Sequence, residues 1–183
     1  STQIQNSMQL VAVNKNLVSM RGNLLAVDAR KPFIIEVDTT IGAGFNTFTL
    51  PLSNFTTDIY VKTSDGQRFT ISNYLDPKRI INFASAGVYT IEMRGQCGWS
   101  FYNTGDCQKL TKVISWGDFL FIALVYGFYG CINLTTIPQT GSINTTATDL
   151  VWLFAGCNKL ACQIPPELLY RAPNCTNLTY LFF

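Results

Sequence analysis

The side chains best suited to chemistry in this sequence are six cysteines, Cys97, Cys107, Cys131, Cys157, Cys162 and Cys175, in a chain with no histidine. A thiolate is both a nucleophile and a metal ligand. Without histidine, however, Ser-His-Asp and Cys-His machinery is excluded, and so are zinc sites that use imidazole. A nucleophile with a lysine base has no motif to support it. An all-cysteine zinc site needs two close pairs. Four residues separate Cys157 from Cys162 and nine separate Cys97 from Cys107, and neither is a knuckle spacing. A glycosidase needs paired carboxylates, and the three Glu form no recognisable pair. No catalytic residue, cofactor-binding residue or metal ligand is therefore assigned, no cofactor is expected, and the chain reads as a non-enzyme.

Other polar groups have plainer readings. Asp58, Asp65, Asp76 and Asp106 fit no calcium-loop spacing and read as turn formers. Five Asn-x-Ser/Thr sequons, at Asn54, Asn133, Asn144, Asn174 and Asn177, are formal glycosylation sites. At Asn133 and Asn177, Asn-Leu-Thr also belongs to a repeated pattern.

That pattern accounts for the cysteines. "CQKLTKV" starts at Cys107, "CINLTTI" at Cys131 and "CNKLACQI" at Cys157, at intervals of 24 and 26 residues. Each is Cys-x-x-Leu followed by Val or Ile. A second pattern, Leu-x-aromatic-x-Phe, recurs as "LVYGF" (124–128), "LVWLF" (150–154) and "LTYLF" (178–182). A period in the twenties with fixed apolar offsets is the signature of a leucine-rich solenoid, in which equal offsets stack on successive coils. The expected repeat core is Cys107, Leu110, Phe128, Cys131, Leu134, Ile137, Phe154, Cys157, Leu160 and Ile164. Its cysteines read as free thiols packed as small hydrophobes. Cys97 and Cys107 flank "GWSFYNTGD" and have the alternative of bridging it; Cys162 and Cys175 lie off the pattern.

Upstream, residues 33–95 read as short strands with turns between them. "TDIYVKT", "SDGQ" and "RFTISNY" form a hairpin. In "GVYTIEMRG", Tyr89, Ile91 and Met93 share one face and Val88, Thr90 and Glu92 the other. This predicts a small antiparallel β-sandwich. Residues 1–32 are polar, mix helix and strand periods, and read as a docking arm or a poorly ordered terminus. The expected fold is mainly β: arm (1–32), sandwich (33–95) and the first coils of a leucine-rich-repeat solenoid (96–183), incomplete at the C-terminus. The end of that solenoid lacks a cap, so a longer natural chain or a neighbouring subunit is expected to cover it.

Composition narrows the partners. The chain is 48% hydrophobic and 13% charged, with a net charge of +2, which suits a packed core and gives no electrostatic footprint for nucleic acid. The most apolar window, "FLFIALVYGFYG" (119–130), is too short to span a membrane. The N-terminus shows no signal-peptide pattern. Aromatics cluster at Trp99, Phe101 and Tyr102, at Trp116, Phe119 and Phe121, and at Tyr126, Phe128 and Tyr129. Tyr126, Trp152 and Tyr180 occur at repeat-matched offsets and read as structural. The less regular loop carrying Trp99, Phe101 and Tyr102 is the candidate recognition loop.

"FYGC-x-NLTTIP" and "FAGC-x-KL-x-x-x-IP" resemble the repeats of BspA-like leucine-rich-repeat surface proteins of gut bacteria and their phages. "IYVKTSDGQRFTISNY" with "INFASAGVYTIEMRG" resembles the PKD-type β-sandwich that precedes such repeats, with Thr63-Ser64-Asp65-Gly66 where that family usually has Trp-Gly-Asp-Gly. "KVISWGDF" resembles the bridge between the two. The resemblance covers about residues 33–183. It implies surface display and binding without catalysis. The preferred expectation is a phage virion component, a fibre or capsid decoration with an adhesive role. Residues 1–32 would contact other virion or surface proteins, within an oligomer or larger assembly, and a host-surface glycan or protein would be the target. The alternative is a bacterial cell-surface adhesin; a carbohydrate-binding accessory module is a third reading.

Overall fold

A computed structural model describes residues 30–182. Of the arm expected at 1–32, residues 1–29 lie outside them. Residues 32–183 form one compact unit.

The unit is mainly β, with the antiparallel sheets expected of a sandwich. Strand β1 (Phe33–Asp38) alternates strictly, burying Phe33, Ile35 and Val37, because successive side chains of a strand leave opposite faces. It lies inside a five-stranded sheet of order β5-β4-β7-β1-β9, with β4 Ile59–Thr63, β5 Arg68–Ile71, β7 Val88–Arg94 and β9 Leu110–Ser115. All its pairings are antiparallel; Phe33 faces Met93 and Ile35 faces Ile91 across β1 and β7. In β7, Ile91 and Met93 are buried, and they share the face that alternation gives them. The β4–β5 turn closes at Gly66, at φ +93°. There the Asp65 carboxylate accepts from the Thr63 hydroxyl and, at 2.9 Å, from the Gln67 side-chain amide.

A second sheet runs β11-β10-β8-β3, with β3 Leu52–Ser53, β8 Gln96–Trp99, β10 Leu120–Ala123 and β11 Asn144–Thr145. Here β8, β10 and β11 are parallel, and β3 is antiparallel to β8. Strands β2 (Thr47–Thr49) and β6 (Ile80–Asn82) form a small antiparallel pair. Both larger sheets draw strands from either side of residue 95. Beyond β10 regular strand is sparse, and turns joined by backbone hydrogen bonds replace it.

Phe33 ties the sheets together. Its ring lies 5.3 Å from that of Trp99 in β8, 5.0 Å from Phe121 in β10, 5.8 Å from Phe119 and 6.0 Å from Trp116. The indole N–H groups of Trp99 and Trp116 are buried without a hydrogen-bond partner. Each unpaired donor costs about 1–3 kcal/mol, so these rings are held for their volume and ring contacts.

A buried lysine fixes the loop before β2. Lys109 is 1% exposed. Its ammonium donates to the carbonyls of Gly44 and Thr47, both at 2.8 Å, and pairs with Asp106 at 3.1 Å. The other Asp106 oxygen accepts the Thr49 N–H at 2.7 Å. A buried charge is tolerable only with such a set of partners.

Replacing Phe33 with alanine should lower unfolding free energy by about 3–5 kcal/mol, because it opens a cavity shared by both sheets. Replacing Phe45, which is 66% exposed, should change it by less than about 0.5 kcal/mol. Urea titration of both variants checks this; equal effects would contradict it.

Candidate functional site

The segments Leu124–Phe128, Leu150–Phe154 and Leu178–Phe182 fold alike. In each, the N–H of the fourth residue donates to the carbonyl of the first: Gly127 to Leu124 at 3.0 Å, Leu153 to Leu150 at 3.2 Å, and Leu181 to Leu178 at 3.2 Å. The third residue is left-handed in every case: Tyr126 at φ +56°, Trp152 at +57° and Tyr180 at +52°. Tyr102, at +51°, adds an earlier member that lacks the Leu-x-aromatic-x-Phe pattern.

Backbone hydrogen bonds run from each turn to the next. Tyr126, Phe128 and Gly130 donate to Val151, Leu153 and Ala155 at 2.8–3.0 Å. Leu150, Trp152 and Phe154 donate to Asn177, Thr179 and Leu181 at 2.9–3.2 Å. Phe101, Tyr102 and Asn103 donate to Gly127, Tyr126 and Tyr129 at 2.9–3.3 Å. Inward, Phe128, Phe154 and Phe182 stack nearly parallel at 5.5 and 5.3 Å. Side chains add further ties: the Asn133 amide donates to Gln108 O at 2.8 Å and that of Asn144 to Asp118 O at 3.2 Å. Those two sequon nitrogens therefore bridge neighbouring segments.

On the other side the left-handed aromatics form a row. Tyr102 meets Tyr126 at 4.8 Å, Tyr126 meets Trp152 at 6.4 Å, and Trp152 meets Tyr180 at 5.5 Å, each step turned by 63–67°. Tyr129 packs beside the row, 5.0 Å from Trp152. Tyr102, Asn103, Thr104, Tyr126, Tyr129 and Trp152 line an open groove of about 440 Å³. Asn103 is seated against Gly130, where φ is +85° and any Cβ would lie 2.7 Å from the Asn103 Cα.

The energetics of the row are informative. A left-handed conformation costs an L-residue about 1–2 kcal/mol, and glycine or asparagine is the ordinary occupant of such a turn position. An aromatic pair returns about 0.5–1.5 kcal/mol beyond its burial. Strain and ring contact roughly cancel, so the exposed rungs, Tyr102 and Tyr180, add little stability. Tyr102 remains 57% exposed and Tyr180 53%. Among the described residues, no charged side chain lines the groove. Neutral aromatic faces with amide and hydroxyl groups at their margin suit recognition.

The expected recognition loop needs correction. Trp99 and Phe101 are 0% and 2% exposed and pack against Phe33, Phe48 and Phe128. Cys97, Trp99 and Phe101 are buried in alternation, so Tyr102 alone of the three faces out. That parity was readable in "CGWSFY". Tyr126 and Trp152, read as structural from their period, line the groove, and Tyr129, Asn103 and Thr104 complete it.

Of the expected repeat core, Cys107, Leu110, Phe128, Cys131, Leu134, Ile137 and Phe154 are buried. Cys157 and Leu160 are half-buried against the same core. Ile164 is not core: it is 41% exposed. It follows Leu160 by four residues, where Ile137 follows Leu134 by three. The extra residue turns it onto the rim of an open cavity of about 400 Å³ with Phe154, Leu160 and Phe182.

All six cysteines are free thiols. Burial pushes Cys97 and Cys157 up to about 12 and Cys131 well above the ordinary thiol range, with neighbouring Cys157 and Cys107 adding to the shift at Cys131. Cys157 donates to Phe128 O at 3.2 Å. A thiol raised this far stays protonated at neutral pH and is a poor nucleophile. Among the described residues, no three His, Cys, Asp or Glu side chains are grouped to hold a metal ion. No helix among them is long and apolar enough to cross a membrane.

Comparison with protein-family models, with curated proteins and with solved structures gave no match.

Native alkylation with iodoacetamide at pH 8, read by mass spectrometry, should label half-buried Cys162 first and leave Cys97 and Cys131 unmodified until denaturant is added. Early labelling of Cys131 would contradict the assignment of these thiols to the core.

Proposed function

We propose that this protein is a non-enzymatic structural and binding protein displayed on a surface, a phage virion component of the fibre or capsid-decoration type with an adhesive role. The observation that carries the reading is the uncharged aromatic row, exposed at Tyr102 and Tyr180 and half-buried between them, built at left-handed backbone positions. A surface kept at such a cost serves contact rather than packing.

The later segment is read as leucine-rich-repeat coils of the BspA-like kind. Support comes from turn-to-turn hydrogen bonding between residues 24–28 positions apart and from the parallel bridges Lys112–Thr136 and Asp149–Asn177. The column Phe128, Phe154 and Phe182 adds to it. Stacking of this kind makes a stiff support, which suits display. In this reading residues 1–32 contact other virion or surface proteins, and the aromatic row meets the host.

Two measurements test the reading. Labelled antibody against the chain should decorate intact phage particles. Purified chain should bind host cells, and Trp152→Asn should weaken that binding about tenfold or more. Decoration of bacterial cells instead of particles would transfer the protein to the cell-surface adhesin reading. Binding unaffected by Trp152→Asn would overturn the role of the row.

A further inference from the structure

We infer that the aromatic row is a subsite for a neutral, linear oligosaccharide of pyranose units, laid along the groove with about one sugar per ring. The inference rests on the reading of this row as the contact surface, and it names the ligand class.

Three observations select that class. The first is charge. Tyr102, Asn103, Thr104, Tyr126, Tyr129 and Trp152 bring no ionisable cation or carboxylate to the groove. An acidic glycan, a phosphate or a charged peptide would meet no counter-charge there.

The second is the state of the backbone. The N–H groups of Tyr102, Tyr126 and Trp152 are already donated to Tyr126, Val151 and Thr179 at 3.0–3.3 Å. These rungs offer an extended peptide no free N–H for strand addition, which is how main-chain pairing gives affinity. Recognition falls to ring faces, three phenol hydroxyls, the Asn103 amide and the Thr104 hydroxyl oxygen as an acceptor, its hydrogen being donated to Phe101 O at 2.9 Å. A sugar brings the complement, with an apolar C–H face for stacking and hydroxyls that both donate and accept.

The third is period. Rings recur at 4.8, 6.4 and 5.5 Å, close to the advance of one flat pyranose along an extended chain.

The protein carries its own reporter. Of the three Trp, Trp99 and Trp116 are 0% and 2% exposed, so a change in indole fluorescence on adding sugar reports Trp152. The full chain would be titrated with neutral hexasaccharides: β-1,4-glucan, β-1,4-mannan, β-1,4-xylan, α-1,4-glucan and β-1,4-linked N-acetylglucosamine. Calorimetry would run alongside, and an uncharged proline-rich decapeptide would serve as the competing probe. At least one hexasaccharide should quench or shift the Trp152 signal, insensitively to salt up to 0.5 M, and its disaccharide should bind more weakly. Tyr102→Asn keeps the reporter and relieves the left-handed strain; with an unchanged circular dichroism spectrum, it should weaken binding about fivefold to tenfold. Trp152→Asn, followed by calorimetry, should do the same. If no hexasaccharide binds while host-cell attachment still depends on Trp152, the glycan inference fails and the contact-surface reading stands. If the decapeptide binds through Trp152 and no sugar does, the inference is overturned in favour of a peptide. If neither sugar nor host cell depends on Trp152, both readings fall.

Discussion

The packing of Phe33 against Trp99, Trp116, Phe119 and Phe121 is the contact on which the rest depends. Phe33 opens the first strand of one sheet, while Trp99 and Phe121 belong to the other. One ring thus fixes the distance and angle between two layers with different hydrogen-bond patterns. Both neighbouring indoles are buried with an unpaired N–H, a cost accepted because smaller rings would leave the centre hollow. From Trp99 the same packing continues to Phe101 and Phe128, then along the Phe128, Phe154 and Phe182 column. The core that joins the sheets and the core that supports the turns are therefore continuous.

That continuity places the surface row. Each turn stacks one aromatic on the column, at Phe128 and Phe154 in the core and at Phe182 on its exposed end, and sends another outward two residues before it. The left-handed conformation of the outward residue is what lets so short a turn present both. With glycine there, the backbone would relax and the outer face would be bare. The rings at Tyr102, Tyr126, Trp152 and Tyr180 are thus a surface made by the same geometry that stacks the core. The cysteines serve that geometry as small inward residues, and their raised pKa values follow from the burial.

Much of this was legible in the sequence. Residues 33–95 read as short strands, and alternation in "GVYTIEMRG" grouped Ile91 and Met93 on one face, the face the structure buries. The Cys-x-x-Leu period identified Leu110, Cys131, Leu134 and Ile137 as core, since apolar side chains at equivalent positions of successive turns stack on one another. It misplaced Ile164, because one inserted residue breaks the register and a pattern search tolerates it. It read Tyr126 and Trp152 as structural, and they also line the groove. A regular offset says that a residue occupies an equivalent position on each turn; it does not say which side of the turn that is. The sign of φ decides this, and sequence carries no direct mark of a left-handed aromatic. Trp99 and Phe101 failed the other way: composition suggested a surface loop, while their shared parity with Cys97 sends them inward. The pairing of β9 with β1 and of β3 with β8 was not legible, because it depends on partners 73–81 and 45–47 residues apart.

The central claim is that the exposed rungs of the aromatic row are kept for contact and add almost nothing to stability. The most direct measurement is the urea-unfolding free energy of a variant in which Tyr102 and Tyr180, the two most exposed rungs, are both asparagine. Relief of left-handed strain should offset the lost ring contacts, leaving stability within about 1 kcal/mol of the parent. A loss of more than about 3 kcal/mol would show that the row is a structural element and contradict the account.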